Sequence, residues 1–479
     1  MNSKNVLSNL IWRFMERCGA QLVSFVVSIV LARLLCPEDY GTIALVMVFI
    51  TILQTFVDSG FGNALIQKKD ADDIDFSSVF YFNIVSCTLL YAIMFVSAPM
   101  IAKFYENPEL TAVVRVLSLK LVIAGTKNVQ QAYVSKNMIF KKFFFATLAG
   151  TIGAAVIGIT MAYFGFGVWA LVTQQLFNLL IDTIILWIVV KWRPKRVFSF
   201  QRLKGLISYG WKLLAVSLIN HLYDESRQLA IGKVYAPESL ALYNKGRQFP
   251  DLFVKNINAS IDSVLFPALS NAQDDIKQVK NMTRRAIRIS SFILAPFMVG
   301  LALVAKPLIL LLLTEKWIGC IPFMVVFCIS FLFKPINTAN LNAMKAVGRS
   351  DLFLKIDMLK ILVGVITLVI ALPFGTFAVA ISFLVSTICS TIINIGPNKK
   401  LLNYGYFEQI KDLLNPIIPI LVMVGATYAF GFLNLPALAM LCIQVPVGMI
   451  SYVFVSWITR NESFKYALSM VKRFFKKGK

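Results

Sequence analysis

Histidine is all but absent from this chain: His221 is the only one in 479 residues, and it stands inside an apolar segment. That leaves no histidine metal centre and no Ser/His/Asp set for nucleophilic catalysis. The seven cysteines (Cys18, Cys36, Cys87, Cys320, Cys328, Cys389, Cys442) mostly fall within apolar stretches and lack metal-ligand spacing. They read as small buried hydrophobes, not as a disulfide framework. Charged residues make up only 15% of the chain, and 24 acids stand against 47 bases. There is no Walker loop and no HExxH helix, and no hydrophilic stretch long enough for a soluble domain with its own core. The outer connections are too short to hold an external active site. Neither an enzyme, a cofactor nor a metal is expected.

What the chain has is long apolar runs. Hydrophobic residues make up 58% of it, and its mean hydropathy is +0.73. A helix needs roughly 20 apolar residues to cross a bilayer. Spanning segments must satisfy their own backbone groups, as helices or as a closed barrel. The runs are continuous and do not alternate in short segments, so helices are expected. Hydropathy places fourteen spans near 9–34, 41–66, 77–99, 110–131, 142–164, 167–190, 205–233, 239–269, 285–305, 319–345, 352–372, 376–395, 412–432 and 437–458. The first run is interrupted by Arg13, Glu16 and Arg17 and shows no small-residue cleavage pattern, so it is not expected to be a cleavable signal.

The net charge of +23 is unevenly spread. Of the 47 Lys and Arg, 33 fall at the termini, in alternate connections or at the span ends beside them, five in or beside the other connections, and nine deeper inside spans. This is the positive-inside pattern, which places both termini in the cytoplasm. The basic character thus reflects topology, and no nucleic acid partner is expected. Beyond Thr459, Phe464, Ala467, Leu468, Val471 and Phe474 recur at helical spacing among lysines and Arg473. That tail reads as a basic helix on the anionic cytoplasmic leaflet.

An internal repeat is visible. Leu31-Ala-Arg-Leu-Leu-Cys-Pro-Glu38 aligns with Ile231-Gly-Lys-Val-Tyr-Ala-Pro-Glu238 at an offset of 200. Phe164-Gly-Phe-Gly-Val-Trp-Ala170 echoes Phe374-Gly-Thr-Phe-Ala-Val-Ala380 at 210. Six spans separate equivalent places, so the repeats insert with one orientation. Spans one to six and seven to twelve are expected to form two lobes around a central cavity, joined by the basic segment 191–204.

Several spans carry polar faces. His221, Asp224, Glu225 and Gln228 share one helical face, and Arg247, Asp251 and Lys255 form a stripe of alternating sign, continued by Asn258 and Asp262. Other stripes are Arg13, Arg17, Gln21, Ser24 and Ser28; Thr51, Gln54, Thr55 and Asp58; Gln175, Asn178 and Asp182; and Lys334, Asn337 and Thr338. A charge at the bilayer centre costs about 2.5–3.5 kcal/mol on insertion scales, so such faces turn inward. They either rivet a bundle with internal salt bridges or line a wet path for a polar cargo. Asp70-Ala-Asp-Asp73 resembles metal-holding acidic clusters, but it sits just before a span, where acids cap a helix N-terminus.

Four stretches carry a resemblance to a known family. Leu31-Ala-Arg-Leu-Leu-Cys-Pro-Glu-Asp-Tyr-Gly41 resembles the first outer turn of the polysaccharide transporter family. Asp58-Ser-Gly-Phe-Gly-Asn-Ala-Leu-Ile-Gln-Lys-Lys-Asp70 resembles its signature after the second helix. Ser263-Val-Leu-Phe-Pro-Ala-Leu-Ser270 and Ala346-Val-Gly-Arg-Ser-Asp351 fit its eighth helix and its tenth-to-eleventh turn. The resemblance covers the first twelve helices. It implies a Wzx-type flippase of the multidrug/oligosaccharidyl-lipid/polysaccharide exporter superfamily, moving a polyprenyl-diphosphate-linked oligosaccharide across the bacterial inner membrane. The expected architecture is an all-α integral membrane protein with a six-helix lobe (1–195), a second six-helix lobe (196–400), two additional helices (401–459) and a basic tail (460–479).

For that cargo the candidate cavity cations are Arg115, Lys120, Arg227, Arg247, Lys255 and Lys334. Asp58, Asp224 and Asp251 are candidates for ion coupling, or for holding those cations apart when the cavity is empty. The expected partners are the lipid-linked oligosaccharide, the bilayer, Na+ or H+ as coupling ion, and a polysaccharide polymerase with other assembly proteins. Two rivals are an ion-coupled drug antiporter of the same superfamily and a membrane polymerase or glycosyltransferase.

Overall fold

The structure is a computed structural model and describes residues 3–58, 65, 70–137, 140–433, 435–466 and 468–469. Among these residues there are helices and short turns and no β-strand. The chain divides into two compact units, residues 1–241 and 242–479.

The first unit runs through α1 (Ser3–Leu34), α2 (Pro37–Asp58), α3 (Asp73–Phe104), α4 (Leu110–Leu117), α5 (Leu119–Lys136), α6 (Phe140–Tyr163), α7 (Val168–Val189), α8 (Phe200–Val234) and the start of α9 (Pro237–Asn271). The second contains the rest of α9, then α10 (Ile276–Leu303), α11 (Ala305–Leu312), a 3-10 turn (Glu315–Cys320), α12 (Ile321–Phe331) and α13 (Lys334–Ala346). It ends with α14 (Ser350–Ala371), α15 (Thr376–Leu401), α16 (Tyr406–Leu413), α17 (Ile417–Phe430) and α18 (Ala437–Ile458).

Every expected span is mostly helical where described. Among the described residues nine are by themselves long and apolar enough to cross a membrane. The others carry charge, as in α8 and α9, or have shorter apolar portions, as in Gly19–Leu34 and Thr147–Tyr163. On α3 the exposed positions are themselves apolar: Val85, Leu89, Val96 and Met100 are all more than 60% exposed and share one face. That inverts the pattern of a soluble helix and suits contact with lipid. The protein is a multi-pass membrane protein.

Three spans differ from expectation in outline. The fourth breaks at Ser118 into α4 and α5, and the tenth breaks at 332–333, where Pro335 takes the start of α13. The thirteenth is preceded by a separate short helix, α16, because Pro416 caps α17.

The two Pro-Glu turns paired in the sequence have similar backbones. The turns after α1 and α8 close with the same hydrogen bond, Leu35 N–H to Leu31 O and Tyr235 N–H to Ile231 O, both 2.9 Å. The helices that follow begin at Pro37 and Pro237. These two starts touch: a Cβ on Gly41 would lie 1.9 Å from the Pro237 carbonyl oxygen, so only glycine fits there.

Alternate connections collect at opposite ends of the first unit. At the end with few cations, Lys233 Nζ donates to Phe104 O at 2.6 Å and Gly232 packs on Leu45 and Tyr105. At the basic end Lys195 pairs with Asp73 (2.7 Å) and Arg202 with Asp72 (2.5 Å). The backbone N–H groups of Lys195 and Ser199 donate to the Ser77 and Ser78 hydroxyls, both at 2.9 Å. Asp72 also closes a capping box with Asp75 at the start of α3, so the acidic cluster caps a helix as its position suggests. The Arg202 hydrogen bond holds the Asp72 carboxyl down, from its ordinary 3.8 to about 2.

A candidate anion path in the membrane helices

Helices α5 and α7 face each other through a polar register. Lys120 and Lys127 lie seven residues apart on one face of α5, and Gln175 and Asp182 lie seven apart on α7. Lys127 Nζ forms a salt bridge and hydrogen bond with Asp182 Oδ2. One heptad away, Lys120 Nζ donates to Gln175 Oε1 at 2.9 Å and lies 3.7 Å from Met47 Sδ of α2. Among the described residues Lys120 meets no carboxylate within 4 Å. Below it, Asn128 donates to Val57 O and Gln130 to Trp192 O, tying α5 to α2 and to the segment after α7.

The stripe read from the eighth span is an ion ladder on α9. Asp251 Oδ2 lies 3.3 Å from both Arg247 Nε and Lys255 Nζ. The ladder is only partly shielded: the Lys255 side chain is 73% exposed and that of Asp251 18%. The Arg247 guanidinium lies 5.6 Å from the Phe383 ring. Further along, Asp262 accepts from Asn342 Nδ2 at 2.6 Å.

The other selected residues lie elsewhere. Arg115 turns onto α3, where Nε donates to Phe95 O at 3.3 Å and the guanidinium sits 4.4 Å from the Phe95 ring. Arg227 is buried on α8 over Tyr223, one turn earlier, whereas Asp224 on the same helix is exposed. Lys334 is exposed and opens α13, as Lys120 stands at the second position of α5. Both lysines therefore follow the break in a discontinuous span. Asp58 ends α2, and its side chain lies outside the described residues, as do those of Arg13 and Arg17.

Several groups of the polar interior escaped sequence reading. Lys127, near the basic end of the fourth span, is the cation that neutralises Asp182. Lys245 is 4% exposed, with its ammonium 5.4 Å from the Trp317 ring. An amide network joins α13, α15 and α16: Asn337 donates to Thr391, Asn394 to Asn337, Asn398 to Asn340 and Asn340 to Gln409. Its signal was present, since Thr391, Asn394 and Asn398 recur at i, i+3, i+7. Asp412, 1% exposed, is clamped by Arg284 Nε (2.7 Å), Arg288 Nε (2.6 Å) and the Tyr404 hydroxyl (2.7 Å). A lone acid at the start of the expected thirteenth span gives no comparable pattern.

A family model described as polysaccharide biosynthesis protein matches residues 30–322, more than half of the chain. The chain belongs to that family. The chain is 24% identical to the teichuronic acid biosynthesis protein TuaB of Bacillus subtilis, over 94% of this chain and 95% of that one. It is also 24% identical to the succinoglycan biosynthesis transport protein ExoT of Rhizobium meliloti, over 69% of this chain and 67% of that one. In structure it is similar to the lipid II flippase MurJ in an inward closed conformation. The TM-score is 0.77 over 95% of this chain and 99% of that one, at 15% identity, a likeness of fold.

Proposed function

We propose that this protein carries a polyprenyl-diphosphate-linked oligosaccharide from the cytoplasmic to the outer leaflet of the bacterial inner membrane, for exopolysaccharide, capsule or O-antigen synthesis. The observation that carries the reading is Lys120, an intramembrane cation met by a neutral amide. The acid one heptad along α7 does not compete for it, since Asp182 has Lys127; within the second unit Asp251 has Arg247 and Lys255, and Asp357 has Lys360 at 2.5 Å. A diphosphate entering such a region gains strongly from cations that water screens weakly. A cationic drug would be repelled, which disfavours the antiporter. No bond is made or broken on the cargo, so the protein is a transporter and not an enzyme.

In this reading Lys120, Arg227, Arg247, Lys255, Lys334 and Arg115 supply the cations, with Arg also offering a planar fork for two phosphate oxygens. Asp58, Asp224 and Asp251 couple transport to Na+ or H+, or separate the cations between cycles. Residues 1–195 and 196–400 act as lobes that rock to expose the path to each side in turn. Residues 401–459 add two helices, and 460–479 a basic tail. The basic ends and both termini face the cytoplasm, by the charge asymmetry of the connections. Opening toward the outside then requires Gly41 to part from Pro237, and the delivered unit passes to a polymerase and other assembly proteins.

The test is reconstitution of the purified protein and measurement of polyprenyl-diphosphate oligosaccharide movement between leaflets. R247K is expected to slow movement with the fold intact, and R247A to slow it further. Undiminished transport in the alanine variants of Arg115, Lys120, Arg227, Arg247, Lys255 and Lys334 alike would overturn the cationic path. Movement of organic cations without the lipid-linked sugar would assign the protein to the antiporters.

A further inference from the structure

A second basic site lies outside the path, where the segment after α18 returns to α10. Arg284 and Arg288 each bind the buried Asp412 through Nε, and Arg288 also reaches Glu462 at 2.6 Å. Beside this clamp is a cavity of about 600 Å³ lined by Arg284, Arg285, Arg288, Glu462, Lys465 and Tyr466, among others. The Arg285 guanidinium carbon lies over the Tyr466 ring, 3.6 Å from its centroid, which holds the guanidinium at the cavity wall. A second cavity of about 290 Å³ shares Asn281 and Arg285 with the first and adds Lys277 and Asp275, whose charges offset. Four cations line the larger cavity, and the two carboxylates that meet them, Asp412 and Glu462, leave a surplus of positive charge.

The segment that closes this cavity also has an apolar side. Between Ser463 and Lys465, which line the basic cavity, Phe464 points the other way. It packs with Phe292 and Tyr452 and borders an apolar groove formed with Met449, Ile450, Val453 and Trp457 of α18. A basic cavity and an apolar groove thus meet along one short segment. Such a junction matches an amphiphile whose phosphate takes the cations and whose chain lies along the helix face.

We infer that this junction binds the headgroup of an anionic phospholipid of the leaflet that the basic end faces. The phosphate sits between Arg285 and Lys465, and the bound lipid fastens residues 462–466 to α10. This is a defined site, in contrast to the diffuse attraction of any basic tail to an anionic surface.

The full chain would be purified in detergent, exchanged into nanodiscs of mixed phosphatidylcholine and phosphatidylglycerol, and the lipids retained after delipidation counted by native mass spectrometry. Wild type is expected to retain phosphatidylglycerol over phosphatidylcholine, and R285Q/K465Q to bind it roughly thirty-fold more weakly, as for two lost surface cations. Both substitutions spare the Asp412 clamp, and K465Q alone, which leaves the Arg285–Tyr466 contact in place, should give part of the loss. K399Q/K400Q removes the same charge from the exposed end of α15 and should leave retention unchanged. Equal retention in wild type and R285Q/K465Q, or an equal loss in K399Q/K400Q, would overturn the site. Displacement of the lipid by inorganic phosphate at matched concentration would overturn the lipid as occupant in favour of a soluble anion.

Discussion

Lys120 and Lys127 stand one heptad apart on α5 and face the same helix, yet α7 gives them different partners. Lys127 receives the Asp182 carboxylate and Lys120 the Gln175 amide. A buried charge with a counter-charge is a fastening, because each ion compensates the desolvation of the other. A charge met by an amide is solvated but not neutralised, and it can still take an anion. The same contrast separates Asp412, held by two arginines and a tyrosine, from the open ladder on α9.

The largest effect should come from breaking the fastened pair. Asp182→Ala strands Lys127, whose side chain is only 13% exposed. Loss of one partner of a buried pair costs about 3–5 kcal/mol. A sharp drop in thermal stability and abundance is expected, and an unchanged melting curve in detergent would show that the pair fastens nothing.

Changing the other lysine should move function and leave stability nearly alone. Lys120→Met removes an intramembrane charge without stranding an acid, so the protein should fold at normal abundance while transport collapses. Gln175→Glu sharpens the comparison further. It gives Lys120 the carboxylate that Lys127 already has, and the protein should hold its stability while losing transport. If Gln175→Glu transports like wild type, neutralising Lys120 is irrelevant to the cargo.

The ladder on α9 should respond less in stability. On sequence grounds, removing Asp251 resembles breaking a buried pair. With Lys255 largely exposed, the expected loss from Asp251→Ala is nearer 1 kcal/mol, in the range of solvent-exposed ion pairs. Chemical unfolding that shows a cost as large as that of Asp182→Ala would mean the ladder is drier than its exposure implies.

The smallest effect belongs to the capping acid at the basic end. Asp72 has a depressed carboxyl pKa, so its contribution is fully present above about 3.8 and fades as pH falls toward about 2. Asp72→Asn should abolish that acid-dependent loss and do little at neutral pH, because the Asp72 side chain is nearly half exposed. An acid unfolding profile identical to wild type would show that Arg202 gains nothing from the carboxylate.

Much of this was open to reading from the chain alone. Apolar runs define where the membrane helices lie, because that depends only on local sequence and on the bilayer as solvent. The faces of α7 and α9 followed from helical spacing. Which charge meets which partner did not follow. Lys120 and Gln175 are 55 residues apart, as are Lys127 and Asp182, and only the packing of α5 on α7 sets a register in which one lysine finds an acid and the other an amide. Nor does the spacing of Arg284 and Arg288 name their partner: only folding brings the α16 acid Asp412 between them. Periodicity records what a helix presents, whereas the tertiary structure decides what is set against it, and for a charge removed from water that partner determines whether it fastens the fold or waits for a ligand.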